Sequence, residues 1–246
     1  MDQIIYYILS ALAVLVTLTI HEFCHGYTAY KLGDDTAKSM GRLTLNPIKH
    51  LDPIGAICMV LFHFGWAKPV PIDPRNFKNP KKGFAIVALA GPLSNLIFAF
   101  VFAFLYLFLN FAFTSANFTS GFLFNVAYNT LLFVYIFHVV NVGIAIFNLI
   151  PIPPLDGSRL LNVVLPQKMY FRIMRYERQI YWAIVGWLIL GTYASKLLLD
   201  IPFVKSTPIL AFFAKFLSLS DILSTVFYWV SEAMMHFWML IPFLSL

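Results

Sequence analysis

Charge is scarce in this chain: Asp, Glu, Lys and Arg make up 11% of its residues, where a soluble domain carries about 25%. With 60% of residues hydrophobic and 17% aromatic, that scarcity excludes an ordinary soluble enzyme and implies an integral membrane protein. Cysteine is nearly absent. Cys24 and Cys58 are the two present, both on the membrane or cytoplasmic side, which argues against a structural disulfide. No basic segment precedes the first apolar run and a polar motif follows it at once, so residues 1–20 are not expected to be a cleaved signal peptide. Internal repeats, low-complexity tracts and long hydrophilic stretches are missing too. Residues 1–246 therefore read as one membrane domain.

What is present is a series of apolar runs, each near the ~20 residues needed to cross a bilayer. They cover Ile4–Ile20 and onward, Phe84–Phe113, Val126–Ile150 and Ile180–Leu199. Beyond Phe203 the tail is apolar but broken by Pro208, Lys215, Asp221, Glu232, His236 and Pro242. It suits one span plus an interfacial helix, or two short spans. The expected fold is an all-α integral membrane bundle with about four to six spans.

The net charge of +6 sits where it sets topology. Nine Lys or Arg lie between the first two runs and five between the third and fourth, while Thr114–Asn125 carries no charge. Basic loops stay inside, so the N-terminus is expected outside the cell membrane. This distribution calls for no nucleic-acid partner.

At the inner end of the first run stands His21-Glu22-Phe23-Cys24-His25. Residues four apart share a helix face, so His21 and His25 can grip one metal ion. Glu22 falls within an arc of roughly 100° of them, placed to take a proton from water on zinc. Ionisable groups at the edge of lipid usually serve a function. A HExxH string nevertheless occurs by chance, and needs a third ligand and a matching topology.

Asn148-Leu-Ile-Pro151-Ile-Pro153-Pro154-Leu-Asp156-Gly157 ends the third run. Its prolines stop the helix, and Asp156 is left on irregular backbone that membranes tolerate only inside protein or beside a wet cavity. Asp156 could simply cap the next helix. Spans one and three, however, run the same way, so the histidines and Asp156 are expected near the same cytoplasmic face and can be neighbours. Two nitrogens and one oxygen leave a fourth tetrahedral position for water, as catalytic zinc requires.

These residues resemble the site-2 proteases, intramembrane zinc metalloproteases. The resemblance rests on His21-Glu22-x-x-His25, on Asn148 to Gly157, and on Gly91-Pro92-x-x-Asn95. Asn46-Pro47-x-x-His50-x-Asp52-Pro53 and Gly65-Trp66-x-x-Pro69-Val70-Pro71 are similar to a small bacterial subgroup lacking accessory domains, which implies a bacterial plasma membrane as the location. The resemblance implies one zinc ion, a general-base role for Glu22, and substrates that are single-pass membrane proteins or remnant signal peptides in the bilayer. It implies that Asn148, about two helical turns before Asp156, holds the substrate backbone or the oxyanion, where a donor is worth ~3 kcal/mol. Asn148 could equally be interhelical glue. Asn95 reads better as glue, with substrate contact as the alternative.

The proline-rich segment 41–80, with alternating Arg42-Leu43-Thr44-Leu45 and the short apolar stretch Ile54–Phe64, looks like the family's membrane-re-entrant β-hairpin. Its edge could pair with an extended substrate strand. His50 and Asp52 could be alternative ligands or turn formers. Two rival functions stay open: another metalloprotease class using Glu177 or Glu232 as third ligand, and a metal-ion transporter or binding protein.

Overall fold

The computed structural model describes residues 3–53, 55, 67–116, 121–207, 209–210 and 218–244. They pack as two units, Met1–Ala145 with Glu232–Leu246, and Ile146–Ser231. The helices among the described residues are α1 (Gln3–Lys31), α2 (Thr36–Ser39), α3 (Pro80–Ser115), α4 (Phe122–Leu149), α5 (Gly157–Val164), α6 (Gln167–Arg175), α7 (Glu177–Leu199), α8 (Pro202–Ser206) and α9 (Leu219–Met239). Three of them, α1, α3 and α4, are long and apolar enough to cross a membrane. The fourth expected span is helical as α7, 23 residues long, but is not among those three. Of the tail, residues 211–217 lie outside the described residues.

The first unit buries many small and polar residues between its helices, together with a few bulky ones such as Ile136 and Phe137, and turns many bulky apolar ones outward. With lipid as apolar as any core, close backbone approach and hydrogen bonds hold helices together. Ala13, Thr17, Ala29, Ala88, Gly91, Asn95, Ala99, Ala103 and Asn141 are accordingly buried. Ile4, Ile8, Leu12, Ile86, Leu93, Ile97 and Val101 face outward. His138 on α4 lies 2.8 Å from the Ala99 carbonyl of α3 through Nδ1. The Trp238 indole N–H donates to the Phe100 carbonyl at 2.9 Å, seating the end of α9 on α3.

The connection from α1 to α3 folds around Asp34. Helix α1 stops because Gly33 takes a φ of +106°, a left-handed turn that glycine adopts without penalty. The Asp34 N–H closes the turn on Ala29 O at 3.0 Å. Buried Asp34 then accepts bonds from the Thr36 hydroxyl and N–H, from Asn76 Nδ2 at 2.8 Å and from the Asp73 N–H at 2.8 Å. Burial pushes its carboxyl up, yet these donors outweigh burial and hold it below the usual range. Neighbouring Asp73 is held at about 2 by hydrogen bonds from the Arg75 guanidinium and N–H. Helix α3 starts cleanly, with Asn79 capping the Lys82 N–H at 3.1 Å and Pro80 in its first turn.

No strand is present among the described residues of segment 41–80. Residues 42–45 do not form the expected strand, because the Arg42 and Leu43 N–H groups both fold back on Ala37 O and Asn46 caps a short 3₁₀ turn at Pro47–Lys49. One isolated antiparallel bridge joins Leu51 to Ala67, with the Lys68 N–H donating to His50 O at 2.8 Å. Apart from Gly55, the apolar stretch 54–64 lies outside the described residues.

Candidate metal centre

His21 and His25 are both buried, one turn apart on α1, and their partners determine which ring nitrogens carry hydrogen. His25 Nδ1 is 2.7 Å from Val87 O; a carbonyl only accepts, so Nδ1 bears the proton. His21 requires a longer chain of inference. Asn141 on α4 meets Phe137 O at 2.8 Å and Thr17 Oγ1 of α1 at 2.9 Å through Nδ2, which fixes its amide orientation. Its Oδ1 therefore accepts from Asn95 Nδ2 of α3 at 2.9 Å. Asn95 Oδ1 is then turned to His21 Nδ1 at 2.6 Å, and His21 Nδ1 is the donor.

In the neutral rings these bonds make each Nε2 an acceptor, and the two Nε2 atoms lie 3.0 Å apart with the rings at 85°. Two lone pairs at that distance repel unless a proton or a metal ion lies between or beside them. Neutral imidazoles with their second nitrogens anchored are what a zinc site needs. Gly91 of α3 provides the room. A Cβ there would collide with His25 Nε2 and come within 2.7 Å of His21 Cε1.

Glu22 is half-buried beside the pair, and its Oε2 accepts the Val70 backbone N–H at 2.8 Å. His50 is buried and donates through Nε2 to Thr44 O at 2.7 Å, while Asp52 Oδ1 accepts the Gly55 N–H at 2.9 Å. Both thus hold the loop's turns. Cys24 is a half-buried free thiol.

In the second unit the chain leaves α4 just after Asn148 and turns through Pro151–Pro154 to Asp156, which directly precedes α5. Asp156 itself has helical backbone angles, and its side chain makes no capping hydrogen bond. The capping role that sequence alone allows is therefore not used. Gly157 is required for backbone proximity, since a Cβ there would strike Leu149 O and lie 2.5 Å from Ile150 O. Glu177 pairs with Arg159 at 3.1 Å. Sequence reasoning missed Asn141 and Thr17 as partners in the histidine network. An asparagine one heptad before Asn148, inside an apolar run, was the available signal for Asn141.

The profile of peptidase family M50 matches residues 9–191. "Putative zinc metalloprotease YwhC" of Bacillus subtilis (strain 168) is 44% identical over 184 residues, 72% of this chain and 80% of that protein. "Putative zinc metalloprotease Rip2" of Mycolicibacterium smegmatis is 32% identical over 161 residues, 63% of this chain and 57% of that protein. "Zinc metalloprotease MJ0392" of Methanocaldococcus jannaschii is 26% identical over 168 residues, 68% of this chain and 38% of that protein. No solved structure matches the chain. A match across most of the sequence, containing the histidine pair and Glu22, shows that this chain belongs to peptidase family M50, the site-2 protease family.

Proposed function

We propose that residues 1–246 act as one intramembrane protease domain that hydrolyses peptide bonds in the membrane-spanning segments of single-pass proteins or remnant signal peptides. The chain is a membrane-embedded zinc metalloprotease of family M50. The observation that carries the reading is the buried pair of Nε2 acceptors 3.0 Å apart, fixed by Asn95 and Val87.

His21, His25 and Asp156 would hold one zinc ion. Two imidazole nitrogens and one carboxylate oxygen are a donor set that suits catalytic zinc and leaves a position for water. Chain continuity supports Asp156, since α4 is tied to α1 through Asn141 and Thr17 shortly before it runs out toward Asp156. Bound there, zinc supplies Lewis acidity and acidifies water. Glu22 accepts the proton of the attacking water on its carboxylate and returns it to the leaving amine. Asn148 donates to the substrate carbonyl or the developing oxyanion. Asn95 acts on the site through His21.

Four to six spans, with α7 as the fourth, fit the basic loops at 31–82 and 159–178. With those basic loops inside, the N-terminus lies outside and the site near the cytoplasmic face of the plasma membrane. The Leu51–Ala67 bridge supports a re-entrant hairpin closed at its base.

The test is zinc content together with cleavage of a single-pass transmembrane reporter, for wild type, Asp156→Ala and Glu22→Gln. One zinc in wild type and Glu22→Gln, loss in Asp156→Ala, and cleavage by wild type alone are expected. Zinc retained in Asp156→Ala moves the third ligand elsewhere, and cleavage by Glu22→Gln removes the base assignment. Zinc bound by wild type without cleavage would favour a metal-ion carrier.

A further inference from the structure

We infer that residues 68–71 form a strap over the site in which the backbone N–H of Val70 positions the Glu22 carboxylate. The inference rests on the reading of Glu22 as the general base. Glu22 Oε2 accepts the Val70 N–H at 2.8 Å across 48 residues of sequence. The flanking residues make that donor singular: Pro69 and Pro71 have no N–H, so residues 69–71 carry one between them. Proline at 71 also confines Val70 to extended backbone, and proline at 69 does the same to Lys68. The N–H direction is thus largely set before any contact is made.

Two further anchors fix the strap's register. Arg42 Nη2 donates to Lys68 O at 2.9 Å and to Pro69 O at 3.3 Å. The buried Val70 side chain rests in a notch on α1, because a Cβ at Gly26 would lie 3.0 Å from Val70 Cγ1. Gly26 follows Glu22 by one turn on the same face, so the notch and the carboxylate receive the side chain and the N–H of the same residue. A carboxylate held through Oε2 keeps its other oxygen in one direction, and that constraint is what a base needs to meet its water reproducibly. A consequence follows for substrate binding. With its single N–H spent on Glu22, the 69–71 stretch has no backbone donor left for a substrate strand and can pair with one only through its carbonyls.

Two measurements on the full-length, zinc-loaded protein test this. The first needs no substrate: hydrogen exchange at the Val70 amide, in valine-labelled protein, for wild type and Glu22→Ala. Exchange at least about tenfold faster in Glu22→Ala is expected, and equal exchange overturns the contact. The second replaces the Val70 N–H alone, by incorporating the α-hydroxy acid of valine to make a main-chain ester. It follows cleavage of a quenched transmembrane reporter peptide selected on wild type. The expected result is a fall in kcat of about 10- to 100-fold with KM and zinc content unchanged. Val70→Ala, which keeps the N–H and loses only the notch packing, retains more kcat than the ester. An ester with wild-type kcat, or a loss confined to KM, overturns the positioning role. Glu22→Gln run alongside separates the two ideas. Full activity there sinks the base assignment, whereas an inactive Glu22→Gln with an unaffected ester sinks only the strap.

Discussion

Asn95→Ala removes two buried bonds at once, the acceptor for His21 Nδ1 at 2.6 Å and the donor to Asn141 Oδ1 at 2.9 Å. Two accounts of Asn95 give different magnitudes. As interhelical glue, each bond is worth about 0.6 kcal/mol in a membrane protein, so the variant loses about 1 kcal/mol of stability equally with and without zinc. As the group that sets the His21 tautomer, its loss orphans a buried Nδ1–H at about 1–3 kcal/mol. It also frees the ring to turn or shift its proton to Nε2. Outer-shell partners of metal-bound histidines are typically worth 10- to 100-fold in affinity, or about 1.4–2.7 kcal/mol. The geometry favours the second account, because the bonds run in series from Phe137 O to His21 and each fixes the next. The assay is zinc competition against a chromophoric chelator, with thermal unfolding of the apo and zinc-loaded forms. A 10- to 100-fold weaker affinity and a smaller gap between the two unfolding midpoints are expected. Affinity within twofold of wild type, with both midpoints lowered alike, would refute the tautomer argument.

Gly91→Ala places a methyl against His25 Nε2 and 2.7 Å from His21 Cε1. A ring must move, and zinc content should fall below about a tenth of wild type by metal analysis; full occupancy would mean the rings have slack. Glu177→Gln should keep its zinc, since that carboxylate is engaged by Arg159 at 3.1 Å; zinc loss would revive a glutamate as third ligand. Asp34→Asn should destabilise the α1–α3 connection by about 2 kcal/mol at neutral pH, as charge-assisted bonds are lost. Because the folded carboxyl lies below its usual range, its contribution is complete above the unfolded pKa of about 3.9. It fades as pH falls through the lower folded value. The gap between wild-type and Asp34→Asn unfolding midpoints should therefore hold steady from pH 7 to about pH 5 and narrow below about pH 4. A gap that widens on acidification would contradict this.

Local periodicity made much of this protein legible in one dimension. Three apolar runs had to become helices, because bilayer backbone must satisfy itself within a segment. His21 and His25 had to share a face, because four residues make about one turn. Both conclusions depend only on neighbours along the chain, and the helices α1, α3 and α4 follow those runs closely. The alternating look of Arg42 to Leu45 misled for the same reason. Strand formation needs a partner, and here Ala37 O and the 3₁₀ turn at Pro47 claimed the backbone first. Tertiary structure alone decided which groups complete the centre's first unit. Asn95 reaches His21 across 74 residues, Thr17 meets Asn141 across 124, and the Val70 N–H finds Glu22 across 48. No spacing rule predicts such meetings, since they are set by how closely small residues let the helices approach, and Gly91 and Gly26 register that approach.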